Sequence, residues 1–253
     1  MEIKTIINNT ALKLELDNRE FGNQQHSLDD WQKELIEQID TLLIGEKGEL
    51  TDNKKFDPQK NEGESATAIH EVGHALVSIL EYPEERPFVE ITIMPRGDAL
   101  GYVKHDSSNN HAQTKEKLLK DVRVSLGGRI AEEIFYGPDN VSAGAISDIK
   151  KATLIVQRMV EEYGMSYVVG PMAIVATEHT YLGGHRNYIC TDEMRTIAEK
   201  EEQRILKEQY QITLKMLQEK KKIIEDMARK VFDEKTMSGD EFTEYYKKHN
   251  STV

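Results

Sequence analysis

The stretch AIHEVGHALVSIL, residues 68–80, constrains this chain more than any other. Ala66, Ile69, Gly73, Val77 and Leu80 recur at spacings of three and four, which predicts a helix with one apolar stripe. His70 and His74 stand four residues apart on it. Residues four apart on a helix share a face, so both imidazoles can point at one ion. Glu71 is rotated by about 100° from His70, beside such an ion rather than on it. This H-E-x-x-H arrangement suits a zinc peptidase, in which the glutamate takes a proton from a zinc-activated water. The competing reading is a helix with two surface histidines. The apolar stripe includes the histidine side of the helix, which argues for the site. Gly73 costs about 1 kcal/mol against alanine inside a helix, so its presence predicts a close packing partner.

Two histidines do not complete a catalytic zinc site, which typically has three protein ligands and an open position. Glu132, Glu133, Asp148 and the remaining histidines are the candidates. Glu132 and Glu133 lie on a predicted helix, TKEKLLKDVRVSLGGRIAEEIFYG, whose adjacent Gly127 and Gly128 permit close helix contact. Asp148 shares a helix face with Ala152, Ile155 and Met159 and so points inward, where an unpartnered carboxylate is costly. It is equally well read as a helix-start carboxylate favoured by the macrodipole. Spacing alone leaves the two readings even. His105, His111, His179 and His185 lie in or beside loops and polar segments and read as exposed.

Elsewhere the pattern predicts a mostly helical α+β protein with a small sheet. Leu28, Trp31, Leu35, Ile39 and Leu42 mark an N-terminal helix capped by Ser27, and ALKLELD a short strand before it. The polar run GEKGELTDNKKFDPQKNEGES reads as a linker. A boundary near residue 62 then separates an N-terminal segment, 1–62, from a domain over 63–253. The helix of 64–81 should start at Glu64 or Ser65 and stop before Pro83. FVEITIMPRGDALGYVKH alternates around a PRGD turn and predicts a hairpin of 88–94 and 99–105. SAGAISDIKKATLIVQRMVEEYG is a helix ended by Gly164, GPMAIVA a third strand, and YLGGHRN a loop. One or two long charged helices fill 191–232, and a last helix is capped by Ser238.

A net charge of −12 with no basic stripe argues against a nucleic-acid partner. The single Cys190 excludes an intramolecular disulfide. No run approaches the roughly 18 apolar residues of a membrane span, and the N-terminus lacks the layout of a secretion signal. A cytoplasmic location is therefore expected.

Four blocks, TAIHEVGHALV, VEITIMPRGDALGYV, LGGRIAEEIFYGPDNVSAGAISDIKKAT and VQRMVEEYGMS, together resemble the peptidase domain of the FtsH family of membrane-bound, ATP-dependent zinc proteases. They stand in the family's order and spacing, and the similarity runs over about residues 64–235. The resemblance implies zinc held by His70, His74 and Asp148, Glu71 as the base, and Glu132 as a supporting residue. It also implies a free sheet edge at Leu100–Lys104, along which an extended polypeptide could bind near Gly101. The family's membrane anchor and ATPase module have no counterpart here, and there is no Gly-x-x-x-x-Gly-Lys-Ser/Thr phosphate loop. Family members form six-fold rings to which the ATPase contributes. The resemblance therefore names a homo-oligomer and a separate ATPase as partners to consider, and leaves a hexamer open. Val72, Ile146 and Ser147 depart from the usual motif residues, while the position of Asp148 is kept. The expected function is an ATP-independent zinc endopeptidase for unfolded or flexible polypeptide. The alternative is a peptidase-like interaction module that joins or regulates a separate ATPase or a complete FtsH-type protease.

Overall fold

The computed structural model describes residues 55–83, 88–95, 100–104, 112–180 and 183–250. The expected N-terminal helix and strand and the tip of the PRGD turn lie outside the described residues, as do His105 and His111. The fold is mostly helical with a small antiparallel sheet, the class expected.

Helix α1 (Gly63–Glu81) is the centre of the domain. Its Ile69, Val72, Leu76 and Val77 are fully buried, and each such side chain contributes about 1.5–3 kcal/mol relative to exposure. The helix begins one or two residues ahead of the expected start. Glu62 precedes the helix in extended conformation without a capping bond, while Ser65 turns inward and its Oγ accepts the Asp57 amide at 3.1 Å. Just ahead of α1, Phe56 is buried edge-on against Phe232, centroids 5.7 Å apart, so the compact unit begins at Phe56.

Helix α2 (Lys115–Tyr136) starts at Thr114, whose side chain accepts the Lys117 amide, and stops at Gly137, where φ is +82°. It packs on α1 at the point the glycines predict. A Cβ on Gly73 would lie 2.5 Å from the Gly127 carbonyl oxygen and 2.7 Å from the Ala131 Cβ. The two backbones touch, and no side chain fits between them. Gly73→Ala is expected to lower stability by about 1–3 kcal/mol, because backbone cannot give way as a side-chain tip can. Urea unfolding checks this. An unchanged midpoint would show that the two backbones leave room for a methyl group at Gly73. Arg123 clamps the same helices from the other end. It bonds Glu81 at the end of α1, with Nη2 to Oε2 at 2.7 Å, and Gln209 of the next long helix.

Helix α3 (Ile146–Glu161) crosses α2, and α4 (Asp192–Gln218) packs against both. Helix α5 (Lys221–Glu234) buries Ile224, Met227 and Val231 and packs on α1. Helix α6 (Gly239–Asn250) begins with a capping box. Ser238 Oγ accepts the Glu241 amide at 3.2 Å, and Glu241 Oε2 accepts the Ser238 amide at 3.0 Å.

The expected hairpin is present, with shorter strands. β1 (Glu90–Thr92) pairs antiparallel with β2 (Tyr102–Lys104), Ile91 opposite Val103. A second neighbour is unforeseen. The three residues of β5 (Thr236–Ser238) pair with the other side of β1, giving the order β2-β1-β5 with β2 at the edge. Lys235 makes the turn into β5 with φ +65°. Its carbonyl accepts from the Ile93 amide at 2.9 Å and the Thr92 hydroxyl at 3.1 Å.

The region 171–190 differs from the sequence expectation. The third strand is not GPMAIVA as a unit but β3 (Val175–Thr180), and the expected loop YLGGHRN enters a strand, β4 (Gly183–Tyr188). They form an antiparallel hairpin with Val175 opposite Tyr188. The segments VATEHT and GGHRNY carry almost no apolar alternation, so periodicity had nothing to report. Among the described residues, no helix is long and apolar enough to cross a membrane.

Candidate metal centre

His70 and His74 lie one turn apart on the face of α1 that meets α2. Their rings are edge to face, centroids 4.8 Å apart, with the two Nε2 atoms at 3.1 Å. Each ring is held at its other nitrogen. His70 Nδ1 bonds Glu132 Oε1 at 2.7 Å, and His74 Nδ1 bonds the Val124 carbonyl at 2.7 Å. A carboxylate and a carbonyl can only accept, so each Nδ1 carries the proton and donates it. In the neutral rings both Nε2 atoms therefore present lone pairs inward.

Asp148, in the first turn of α3, completes the group. Its Oδ2 lies 3.3 Å from His70 Nε2 and 3.4 Å from His74 Nε2. The ligand atoms of His70, His74 and Asp148 all fall within 4.8 Å of one another. Three electron-pair donors this close, with the other nitrogen of each histidine engaged elsewhere, favour a cation between them. The local field agrees. Burial alone would lower the His70 pKa, but bonds to Asp148 and Glu132 and the Glu71 charge outweigh it and push it well above the usual imidazole range. Burial raises Asp148, yet its bonds to the two histidines hold it well below the usual carboxylate range. Two imidazoles and a carboxylate are a donor set that suits zinc.

Glu132 does not join this group. It is buried behind His70, and its carboxylate also accepts the Ser142 amide at 2.8 Å and the Ser142 hydroxyl at 3.2 Å. It thus sets the tautomer and tilt of His70, the usual task of an outer carboxylate beside a metal-binding histidine. Burial raises the Glu132 pKa, but the His70 and Ser142 bonds bring it below the ordinary value. Glu133 points the other way and takes a bond from the Tyr210 hydroxyl of α4. His179 and His185 stand on the β3 and β4 strands, not in loops.

Glu71 is buried beside the three converging atoms and is not one of them. Burial raises its pKa, and the histidines partly offset this. Its stem is covered by the chain entering the edge strand. A Cβ on Gly101 would lie 3.0 Å from Glu71 Cγ and 2.8 Å from both Thr67 Cγ2 and the Thr92 carbonyl. The strand edge at β2 and the Glu71 side chain are therefore direct neighbours.

Sequence reasoning missed two contributors, Val124 and Ser142. Val124 acts through its carbonyl, which no side-chain pattern can mark. Ser142 acts through a tight turn between α2 and α3, where it also caps a 3-10 turn by accepting the Gly144 amide. A serine placed ahead of a helix start was its only available signal.

A family model described as peptidase family M41 matches residues 58–245. The ATP-dependent zinc metalloprotease FtsH of Thermus thermophilus is 36% identical over 177 residues, covering 70% of this chain and 28% of that protein. FtsH of Lancefieldella parvula is 29% identical over 252 residues, 99% of this chain and 36% of its own length. The ATP-dependent zinc metalloprotease YME1 homolog of Schizosaccharomyces pombe is 34% identical over 187 residues, covering 74% of this chain and 25% of that protein. This chain spans about a third of the length of the curated relatives it matches.

Proposed function

The chain belongs to peptidase family M41, and from that premise we propose that it is a zinc-dependent endopeptidase acting on unfolded or flexible polypeptide. The observation that carries the reading is the convergence of His70, His74 and Asp148 within 4.8 Å. In this reading these three residues hold zinc. Zinc, when bound, supplies a lowered water pKa and polarises the peptide carbonyl. Glu71 accepts the water proton on its carboxylate and returns it to the leaving amine. Its burial, which raises its pKa, suits a group that must take a proton and give it back. Glu132 and Val124 keep the histidine Nε2 atoms aimed inward.

The substrate lies along β2 as an added strand, held by main-chain hydrogen bonds near Gly101 and Tyr102. Such binding needs unpaired backbone and takes little notice of side chains. A folded domain offers few such segments, because most of its backbone is already paired. No phosphate loop occurs in the 253 residues, so hydrolysis by this chain is proposed to need no ATP. A folded substrate is then cut when it opens by itself. For a domain stable by about 5 kcal/mol the open fraction is roughly 10⁻⁴ to 10⁻³.

The test is incubation of the zinc-loaded chain with casein, with a stable domain, and with a destabilised mutant of that domain. Casein and the destabilised form are expected to be degraded and the stable form to survive, with or without ATP. Equal rates on the two forms, or stimulation by ATP in the purified system, would overturn the substrate reading. Zinc binding without hydrolysis of casein would favour an interaction module. Stimulation that appears on adding a separate ATPase would identify that partner.

A further inference from the structure

We infer that Gly128 is a positioning residue of the metal centre, whose missing side chain leaves the two imidazole Nε2 atoms free to share one cation. This rests on His70 and His74 being metal ligands, as proposed above. A Cβ built on Gly128 would stand 2.5 Å from His70 Nε2, 2.5 Å from His74 Nε2 and 2.7 Å from His70 Cδ2. A nonbonded carbon and nitrogen do not approach so closely. A methyl group there would press on the two nitrogens that face each other at 3.1 Å.

Side-chain tips usually yield to such pressure, but these two are fastened. His70 is tied at Nδ1 to Glu132, itself bonded twice to Ser142, and His74 is tied at Nδ1 to the Val124 carbonyl on the same helix as Gly128. Turning either ring away breaks its hydrogen bond at Nδ1. Keeping both bonds leaves the methyl in contact with both donors. Either way the pair of Nε2 atoms no longer converges with Asp148.

The neighbouring glycine has a different task. A Cβ on Gly127 would meet the Gly73 carbonyl oxygen at 2.7 Å and the His74 Cα at 3.1 Å, all backbone atoms of α1. Gly127 thus sets how near the helices come, whereas Gly128 clears the space between the ring tips. The adjacent pair separates a packing role from a metal-site role.

The experiment compares the wild-type chain with Gly128→Ala. Zinc affinity is read by competition with a chromophoric chelator, and thermal melting is followed with and without zinc. The wild type is expected to take up one zinc and to melt higher with it. Gly128→Ala is expected to lose more than about 100-fold in affinity, beyond the range for a single outer-shell partner, and to lose the zinc-dependent rise in melting temperature. Zinc binding within threefold of wild type would overturn the inference. Failure of the wild type to bind zinc would instead overturn the metal reading beneath it.

A second comparison covers loss of folding by the variant. In a His70→Ala, His74→Ala background the methyl meets no ring, so Gly128→Ala should not lower the zinc-free melting temperature there, and the better helix propensity of alanine should hold or raise it. An equal drop in both backgrounds would make Gly128 a packing residue and overturn the proposal. A drop confined to the background with both rings isolates the clash with them.

Discussion

Glu71→Gln is expected to keep zinc and lose about 10² to 10⁴ in turnover. The amide matches the carboxylate in size, so the packing of the Glu71 stem against Gly101 survives. What disappears is the ability to take a proton at neutral pH. The change also removes one negative charge from the field around His70. Zinc affinity should therefore fall, but by much less than on loss of a ligand. The measurement is casein hydrolysis at matched zinc occupancy, established by metal analysis of the same sample. Turnover equal to wild type would mean that Glu71 is not the base or that the activity belongs to a contaminant. Loss of zinc along with activity would make Glu71 part of the holding group.

Asp148→Ala should damage the metal site itself. Removing it leaves two of three converging ligand atoms. Zinc bound by three protein ligands gains on the order of 10–16 kcal/mol if it compares with structural sites in small peptides. A one-third share is roughly 3–5 kcal/mol, or about 10² to 10⁴ in affinity. Glu132→Ala removes the partner of His70 Nδ1 but no converging atom, and a loss of about 10 to 100-fold is expected. Titration of both variants with zinc against one chelator ranks them directly. The reverse order, with Glu132→Ala stripping the metal and Asp148→Ala retaining it, would show that the carboxylate roles are exchanged.

Helices were the most legible part of the chain. The extents of α1 and α2, the Ser238 cap and the Gly137 stop are all local, set by residues within a turn or two. A helix closes its hydrogen bonds within itself, so its sequence carries its own record. The same holds for the pairing of His70 with His74 and for the side position of Glu71, both consequences of 3.6 residues per turn. The β1–β2 hairpin was legible because its strands are close in sequence and alternate apolar and polar residues around a turn. Its third strand was not. β5 is three residues long and joins β1 from more than a hundred residues away, and nothing in TMS distinguishes it from a helix connection.

The site divides along the same line. The sequence by itself determined that two imidazoles and a carboxylate would share one buried helix, and that Gly73 required something close against it. It did not determine which acidic residue would meet the histidines. Glu132, Glu133 and Asp148 were all open on spacing, and the family resemblance chose among them. The tertiary structure shows how their roles separate. One residue of rotation sends Glu132 to His70 and Glu133 to Tyr210, while the crossing of α3 over α2 brings Asp148 to within 3.4 Å of both Nε2 atoms. Those outcomes depend on how the helices cross, and for α1 and α2 the distance is set where Gly73 meets Gly127. Contacts between residues far apart in sequence have no local period, so they exist only once the helices are packed.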